Sequence, residues 1–291
     1  MKISELYKEI IKAGSQCDPR GRRIALYPDT AILYGKPHTK VKKILVGIDI
    51  ETADLLLAER IRQKEGLDLV ISHHPEGRAF ASLFEVMRLQ VDLLVKIGVL
   101  RSVAEGLLEE RMQEVERKIM AGNHMRSVDA ARIMDIPFMC VHTPADNQVA
   151  SFLKSLFLKK KPKTVQDMIG ILDEVPEYRI AKEQLNNGPK ILLGSPKRLT
   201  GKILFEMTGG TEGNKDIYDK LSKTGIRTIL GMHLSEEHFK KVKDANLNAI
   251  IAGHISSDTL GLNLLLDKIE KKAGETFKVI NCSGFIRIKR K

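Results

Sequence analysis

Short apolar runs, mostly rich in β-branched residues, alternate along this chain with longer stretches of helical periodicity. That alternation restricts the fold to an α/β architecture with largely parallel sheets. The runs read as strands fall at 43–49, 68–72, 136–141, 190–194, 202–207, 227–230, 248–252 and 277–281. Helical patterns lie between them: an opening amphipathic helix, a helix carrying Ala53, Leu56 and Leu57, and others near 128–134, 148–158, 216–224, 236–245 and 257–272. Residues 80–121 are helical throughout. Leu83, Met87, Val91 and Leu94 form one apolar stripe there, and Val103, Leu107, Leu108, Met112, Val115 and Ile119 a second, opened by the capping-box pattern Ser102 to Glu105. This segment is expected to be a helical hairpin that serves packing or an oligomer surface. The basic connector Lys159-Lys160-Lys161-Pro162-Lys163 is the expected boundary between an α/β domain at 1–158, with the helical insertion, and a second α/β domain at 165–291, with interleaving of the two allowed.

Three of the strand-like runs end in metal-ligating residue types. Asp68-Leu69-Val70-Ile71-Ser72 leads into His73-His74-Pro75, the run at 136–141 leads into His142-Thr143-Pro144-Ala145-Asp146, and the run at 248–252 leads into Gly253-His254, with Asp258 four residues on. In α/β proteins ligands gather at the carboxyl ends of strands, so these endings can converge on one pocket. Neighbouring side chains of an extended segment point to opposite faces, so His73 and His74 are expected to diverge and serve two different ions. The expected ligands are His73, His74, Asp146, His254 and Asp258. Asp146 has a competing role as a helix cap, and Asp258 another as a first-turn carboxylate favoured by the helix dipole. His142 reads as orienting its strand end, and His38, His124, His233 and His238 have no comparable context. Thr208-Gly209-Gly210-Thr211-Glu212-Gly213 lacks the Lys-Ser/Thr ending of a phosphate-binding loop and reads as a turn.

The chain has 291 residues, 43% of them hydrophobic, which is enough for two cores. No run approaches the roughly 20 apolar residues of a membrane span, and the amino terminus has no signal-peptide apolar stretch, so a cytoplasmic protein is expected. Cys17, Cys140 and Cys282 are odd in number and far apart, which argues against a disulfide framework or a thiolate zinc site. The formal charge of +11 comes from lysines spread along the chain, and aromatics are only 5%. Nucleic acid is therefore not expected as the main partner, whereas a small anionic substrate is compatible with the charge.

The ordered motifs GID, SHHP, HTPAD, GGTEG, GHISSD and NCSGF, from about Ile44 to Phe285, resemble the Nif-three-like family, also labelled GTP cyclohydrolase I type two homologues. The resemblance implies two metal ions held in a cleft between two α/β domains. Carried over position by position, their ligands are again His73, His74, Asp146, His254 and Asp258. It also implies a homo-oligomer, a hexamer by family habit. The chain departs from the pattern in three places: Asp258 replaces the usual Glu, Glu76-Gly77-Arg78 replaces apolar residues after HHP, and the stretch between His74 and Asp146 is longer. Three imidazoles and two carboxylates suit zinc, manganese, iron or cobalt, with two ions per chain. The expected activity is metal-dependent hydrolysis of cyclohydrolase, phosphoester or amide type; the alternative is a non-catalytic metal carrier or regulatory scaffold.

Overall fold

The computed structural model describes residues 1–290. The chain opens with helix α1 (Ile3–Gln16), the edge strand β1 (Ala31–Tyr34) and β2 (Lys43–Gly47). Helix α2 (Thr52–Glu65) leads to β3 (Leu69–Ser72), then come α3 (Gly77–Ala81), α4 (Leu83–Val86), α5 (Arg88–Lys96) and the long α6 (Arg101–Met120). Helix α7 (Arg126–Ile133) returns the chain to β4 (Phe138–Cys140), which is followed by α8 (Thr143–Lys160), α9 (Val165–Asp173) and α10 (Pro176–Leu185). The second group of strands is β5 (Lys190–Leu193), β6 (Lys202–Glu206), β7 (Ile226–Gly231) and β8 (Asn248–Ile251). Helix α11 (Tyr218–Lys223) precedes β7, and α12 (Glu236–Asp244) precedes β8. Helix α13 (His254–Ala273) then carries the chain to β9 (Lys278–Asn281).

Two mostly parallel sheets result, as the alternating pattern predicts. The first has the order β1-β4-β3-β2-β9 and the second β5-β8-β7-β6, each with one antiparallel edge strand, β1 or β5. Strands β2, β3 and β4 are buried along their whole length, because helices cover both faces of a parallel sheet and no polar face is needed. Successive residues serve opposite faces. Ile44 and Val46 pack with α1 and α13, while Leu45 and Val70 pack with Leu55 and Ala58 of α2 and Val128 and Ala131 of α7. In the second sheet Ile229 and Ala249 face α5, α6, α11 and α12, while Leu230 and Ile250 face α8, α9 and Tyr178 of α10.

Helices α8 and α13 bind the two sheets together. Ala145, Leu262, Leu265 and Leu266 belong to the core of the first sheet, and Val149, Leu153, Phe157 and Leu260 to that of the second. Their crossing is close because Gly261 has no side chain: a Cβ built there would stand 2.6 Å from the Ala145 carbonyl oxygen. The carboxylates of Asp146 and Asp258 sit next to this crossing.

Several elements differ from the sequence reading. The edge strand β1 and the helices α9 and α10 were not anticipated. The closing strand β9 pairs with β2, so the carboxyl end of the chain completes the first sheet. Of the two roles expected for the α6 stripe, packing is the one seen: Leu108, Met112, Val115 and Ile119 are buried against Leu204, Ile217 and Ile229 of the second half. Helix α6 begins at Arg101 with Leu100 before it and no side-chain cap, so the Ser102 to Glu105 pattern is not used as a capping box. Among the described residues, no helix is long and apolar enough to cross a membrane.

Candidate metal centre

Every side chain of the candidate site follows the carboxyl end of a parallel strand. His73 and His74 leave β3, His142 and Asp146 open α8 after β4, and His254 and Asp258 open α13 after β8. The backbone amides of His73 and His74 donate to the carbonyls of Gly47 and Ile48, both at 2.9 Å, which fixes the double histidine against the end of β2. Gly253, at φ +108°, makes the turn that starts α13 directly at His254. His254 and Asp258 are therefore one helical turn apart on the same face.

The structure brings the five expected residues together. His73 Nε2 lies 3.4 Å from Asp146 Oδ1 and 3.4 Å from Asp258 Oδ1. The other Asp258 oxygen, Oδ2, lies 3.4 Å from His74 Nε2 and 3.6 Å from His254 Nε2. Asp258 thus turns one oxygen to each of two groups of donors. The adjacent histidines do not diverge as strand alternation predicts. They lie beyond the last residue of β3, their ring centroids are 5.3 Å apart, and both Nε2 atoms reach the same carboxylate.

Capping explains neither acid. His142 is the residue before α8 and Gly253 the residue before α13, and neither helix start has a side-chain cap bond. Asp258 is the fifth residue of α13, past its first turn.

Buried His73 Nε2, Asp146 Oδ1 and Asp258 Oδ2 have no hydrogen-bond partner. The orientation of His73 sharpens this point. Its Nδ1 lies 3.0 Å from the Val141 carbonyl, which can only accept, so Nδ1 holds a proton and donates it. In the neutral ring Nε2 is then a lone pair, and it faces two carboxylate oxygens. Acceptors gathered face to face in a buried space require a cation between them. Without metal that cation is a proton. Burial pushes the His73 pKa down, but the carboxylates of Asp258 and Asp146 outweigh it and raise it to about 10; His74, with Asp258 and Asp49 beside it, rises to about 9. His254 is shifted down, mainly by burial. The Asp258 carboxyl is held well below the usual range, burial opposing and His73 and His74 prevailing.

A metal ion fits the same space. Ligands each about 2.1 Å from one ion at tetrahedral angles stand roughly 3.4 Å apart, which matches the His73 and His74 contacts with Asp258. Two overlapping trios, His73, His74 and Asp258, and His73, His142 and Asp146, each bring three ligating atoms within 4.8 Å of one another.

The second trio includes a histidine assigned from sequence only to orienting its strand end. His142 Nε2 lies 3.8 Å from Asp146 Oδ2, and its Nδ1 is 2.7 Å from Asp29 Oδ2. Asp29 was not anticipated. It is fully buried and also accepts from the Thr143 amide at 3.2 Å and the Thr143 hydroxyl at 2.6 Å. His74 is held in the same way by Asp49, whose Oδ1 is 2.6 Å from its Nδ1. A carbonyl or carboxylate behind Nδ1, with Nε2 turned inward, is the usual support for a ligating imidazole. The aspartate of the GID segment after β2 was a signal for Asp49; Asp29 lies far away in sequence with no motif of its own. His233, after β7, packs its ring 4.9 Å from that of His254, another strand-end histidine that the sequence reading passed over.

The glycine-rich loop at 208–213 is braced by its carbonyls. Gln90 Nε2 donates to Gly209 O at 2.8 Å and Thr211 O at 2.7 Å, and Arg111 Nε donates to Glu212 O at 3.1 Å. Together with β6 it forms one side of a cavity that opens onto His142, Asp146, His254 and Asp258.

Among solved structures, this chain is similar to a NIF3 superfamily protein from Sphaerobacter thermophilus, at 26% identity and a TM-score of 0.78, over 95% of this chain and 98% of that one. It also resembles HcgD from Methanocaldococcus jannaschii, at 16% identity and a TM-score of 0.54, over 97% of each chain. A protein named ybgI, described as of unknown function, shares 16% identity and a TM-score of 0.54 over 97% of this chain and 98% of that one. No family model matches the sequence, and no curated protein does.

Proposed function

Because the chain belongs to the NIF3 superfamily, we propose that its His and Asp cluster holds two divalent metal ions and that the protein is a metal-dependent hydrolase. The ligands in this reading are His73, His74, Asp146, His254 and Asp258. The observation that carries it is the orphaned state of His73 Nε2, Asp146 Oδ1 and Asp258 Oδ2, three buried polar atoms without a partner in one cluster. Zinc, manganese, iron or cobalt suits this mixture of imidazole and carboxylate.

Divalent ions in such a site supply Lewis acidity and an acidified water for attack on an ester, amide or ring carbon. The chain's own residues fix the geometry around that chemistry. The Val141 carbonyl and Asp49 hold His73 and His74 with Nε2 inward, and Asp29 holds His142, whose Nε2 stands 3.8 Å from Asp146. The cavity beside Asp258 and His254 gives a substrate a place next to the cluster, which a buried storage site does not need. The protein is expected to act as a homo-oligomer in the cytoplasm.

The test is turnover by metal-reconstituted protein across nucleotides, phosphoesters and cyclic amides, with His254→Ala as control. Hydrolysis that requires both metal and His254 supports the hydrolase. Tight metal binding without turnover on any of them turns the assignment to a carrier or scaffold.

A further inference from the structure

Despite the basic surface, the cavity beside the cluster is acidic. Four carboxylates line it, Asp146, Asp258, Glu206 and Glu212, and among the described residues no lysine or arginine does. One wall is apolar, made by Leu94, Leu107 and Leu108 with Leu204 and Ile217. Arg111, which is not part of the lining, is engaged by Glu114 at 2.6 Å and the Glu212 carbonyl at 3.1 Å.

Three of the four carboxylates are occupied. Asp146 and Asp258 face the histidines. Glu212 accepts the Ser235 amide at 2.7 Å and has His233 at 3.6 Å and His238 at 3.9 Å. Glu206, the last residue of β6, has no cation within ion-pair distance and no backbone donor among the described residues. Its side-chain donor is the Tyr218 hydroxyl, which also lies 2.8 Å from His238 Nδ1, and the attractive charge acting on it is that of His233. Burial, and then the charge of Glu212, pushes the Glu206 carboxyl up to about 7. Tyr218 and the charge of His233 offset this only in part, and a ligand that brings a further donor or a cation to an acid in a cavity removes more of the cost.

We infer that this cavity binds an organic molecule with an apolar body and a cationic or hydrogen-bond-donating head, and that Glu206 is the residue that reads the head. The proposal names the substrate class of the hydrolase and rests on that reading for its chemistry, though not for its binding. The apolar body lies along the leucine wall, and the head meets Glu206 close to the strand ends that carry the cluster. Away from the cluster itself, no lysine or arginine lines the cavity to match a polyanion.

Three probes share one body and differ in the head: phenylbutylamine, phenylbutanol and phenylbutyrate. They are titrated by calorimetry against the protein as purified, against Glu206→Gln and against Leu107→Arg. The amine should bind saturably and tightest. Glu206→Gln should lower amine affinity roughly tenfold, the worth of one charge-assisted bond, and leave phenylbutanol binding unchanged. Leu107 lies on the partly exposed side of α6, and Leu107→Arg should reverse the order in favour of phenylbutyrate. Absence of saturable binding, phenylbutyrate as the tightest ligand of the wild type, or an amine affinity indifferent to Glu206→Gln would overturn the proposal. Metal content measured on the same samples separates the two readings. A protein that holds no metal but keeps the amine preference loses only the metal reading; one that keeps its metal but lacks the preference loses only this one.

Discussion

His73 and Asp258 face each other with Nε2 and Oδ1 3.4 Å apart, both buried, and the far side of the same imidazole is committed to the Val141 carbonyl. The pair is too far apart for a short charge-assisted hydrogen bond and too well enclosed to be solvated. What occupies the space between them, proton or metal ion, sets the pH behaviour of the protein.

In metal-free protein the raised pKa values of His73 and His74, about 10 and about 9, make the cluster a store of protons. A folded-state pKa above the unfolded value of about 6.5 gives stability that is complete below that value and is lost as pH rises through the folded one. Chelator-treated protein should therefore lose thermal stability steadily from about pH 6.5 to about pH 10, and metal-loaded protein should not. Loading should also release protons, detectable in weakly buffered solution. Parallel melting curves for the two forms would contradict this.

Asp258 turns one oxygen to His73 and the other to His74 and His254. Its loss should accordingly be felt by both ions. Asp258→Asn keeps the shape and removes the charge, and should abolish most metal binding, whereas His74→Ala should cost about one ion. Equal metal content in the two variants would remove the shared role of Asp258.

Asp29 illustrates what the sequence could and could not reveal. The strand ends bearing His73, His74, Asp146, His254 and Asp258 were legible because strand, turn and side chain are neighbours in sequence. Asp29 reaches His142 across 113 positions, and only the antiparallel pairing of β1 with β4 places it there. Strand β1 carries no comparable signal, and α9 and α10 lie beyond the connector in a stretch to which the sequence pattern assigns no element. The stripe of α6 was legible as apolar, but its partner, the second sheet, was not, because periodicity names a face without naming what covers it.

Asp29→Ala should leave the His142 and Thr143 donors buried without an acceptor. The expected cost is about 1–3 kcal/mol of stability, with metal affinity lowered roughly 10- to 100-fold through the freed imidazole. Thermal melts and metal titration of the same variant check both; a loss of stability with unchanged metal affinity would confine Asp29 to the fold.

Gly261 sets the distance between the helices that carry Asp146 and Asp258. A methyl group there would meet the Ala145 carbonyl at 2.6 Å, so Gly261→Ala should force α8 and α13 apart at a cost of about 1–3 kcal/mol. Metal binding should weaken with it although no ligand is changed. Wild-type metal affinity in this variant would show that the crossing does not govern the cluster.

The most direct measurement is elemental analysis of protein purified anaerobically and reconstituted with zinc, manganese, iron or cobalt, beside His73→Ala and His74→Ala. The account predicts about two ions per wild-type chain and roughly one fewer in each variant, with the fold retained. Wild-type protein that binds no divalent ion after reconstitution would contradict it.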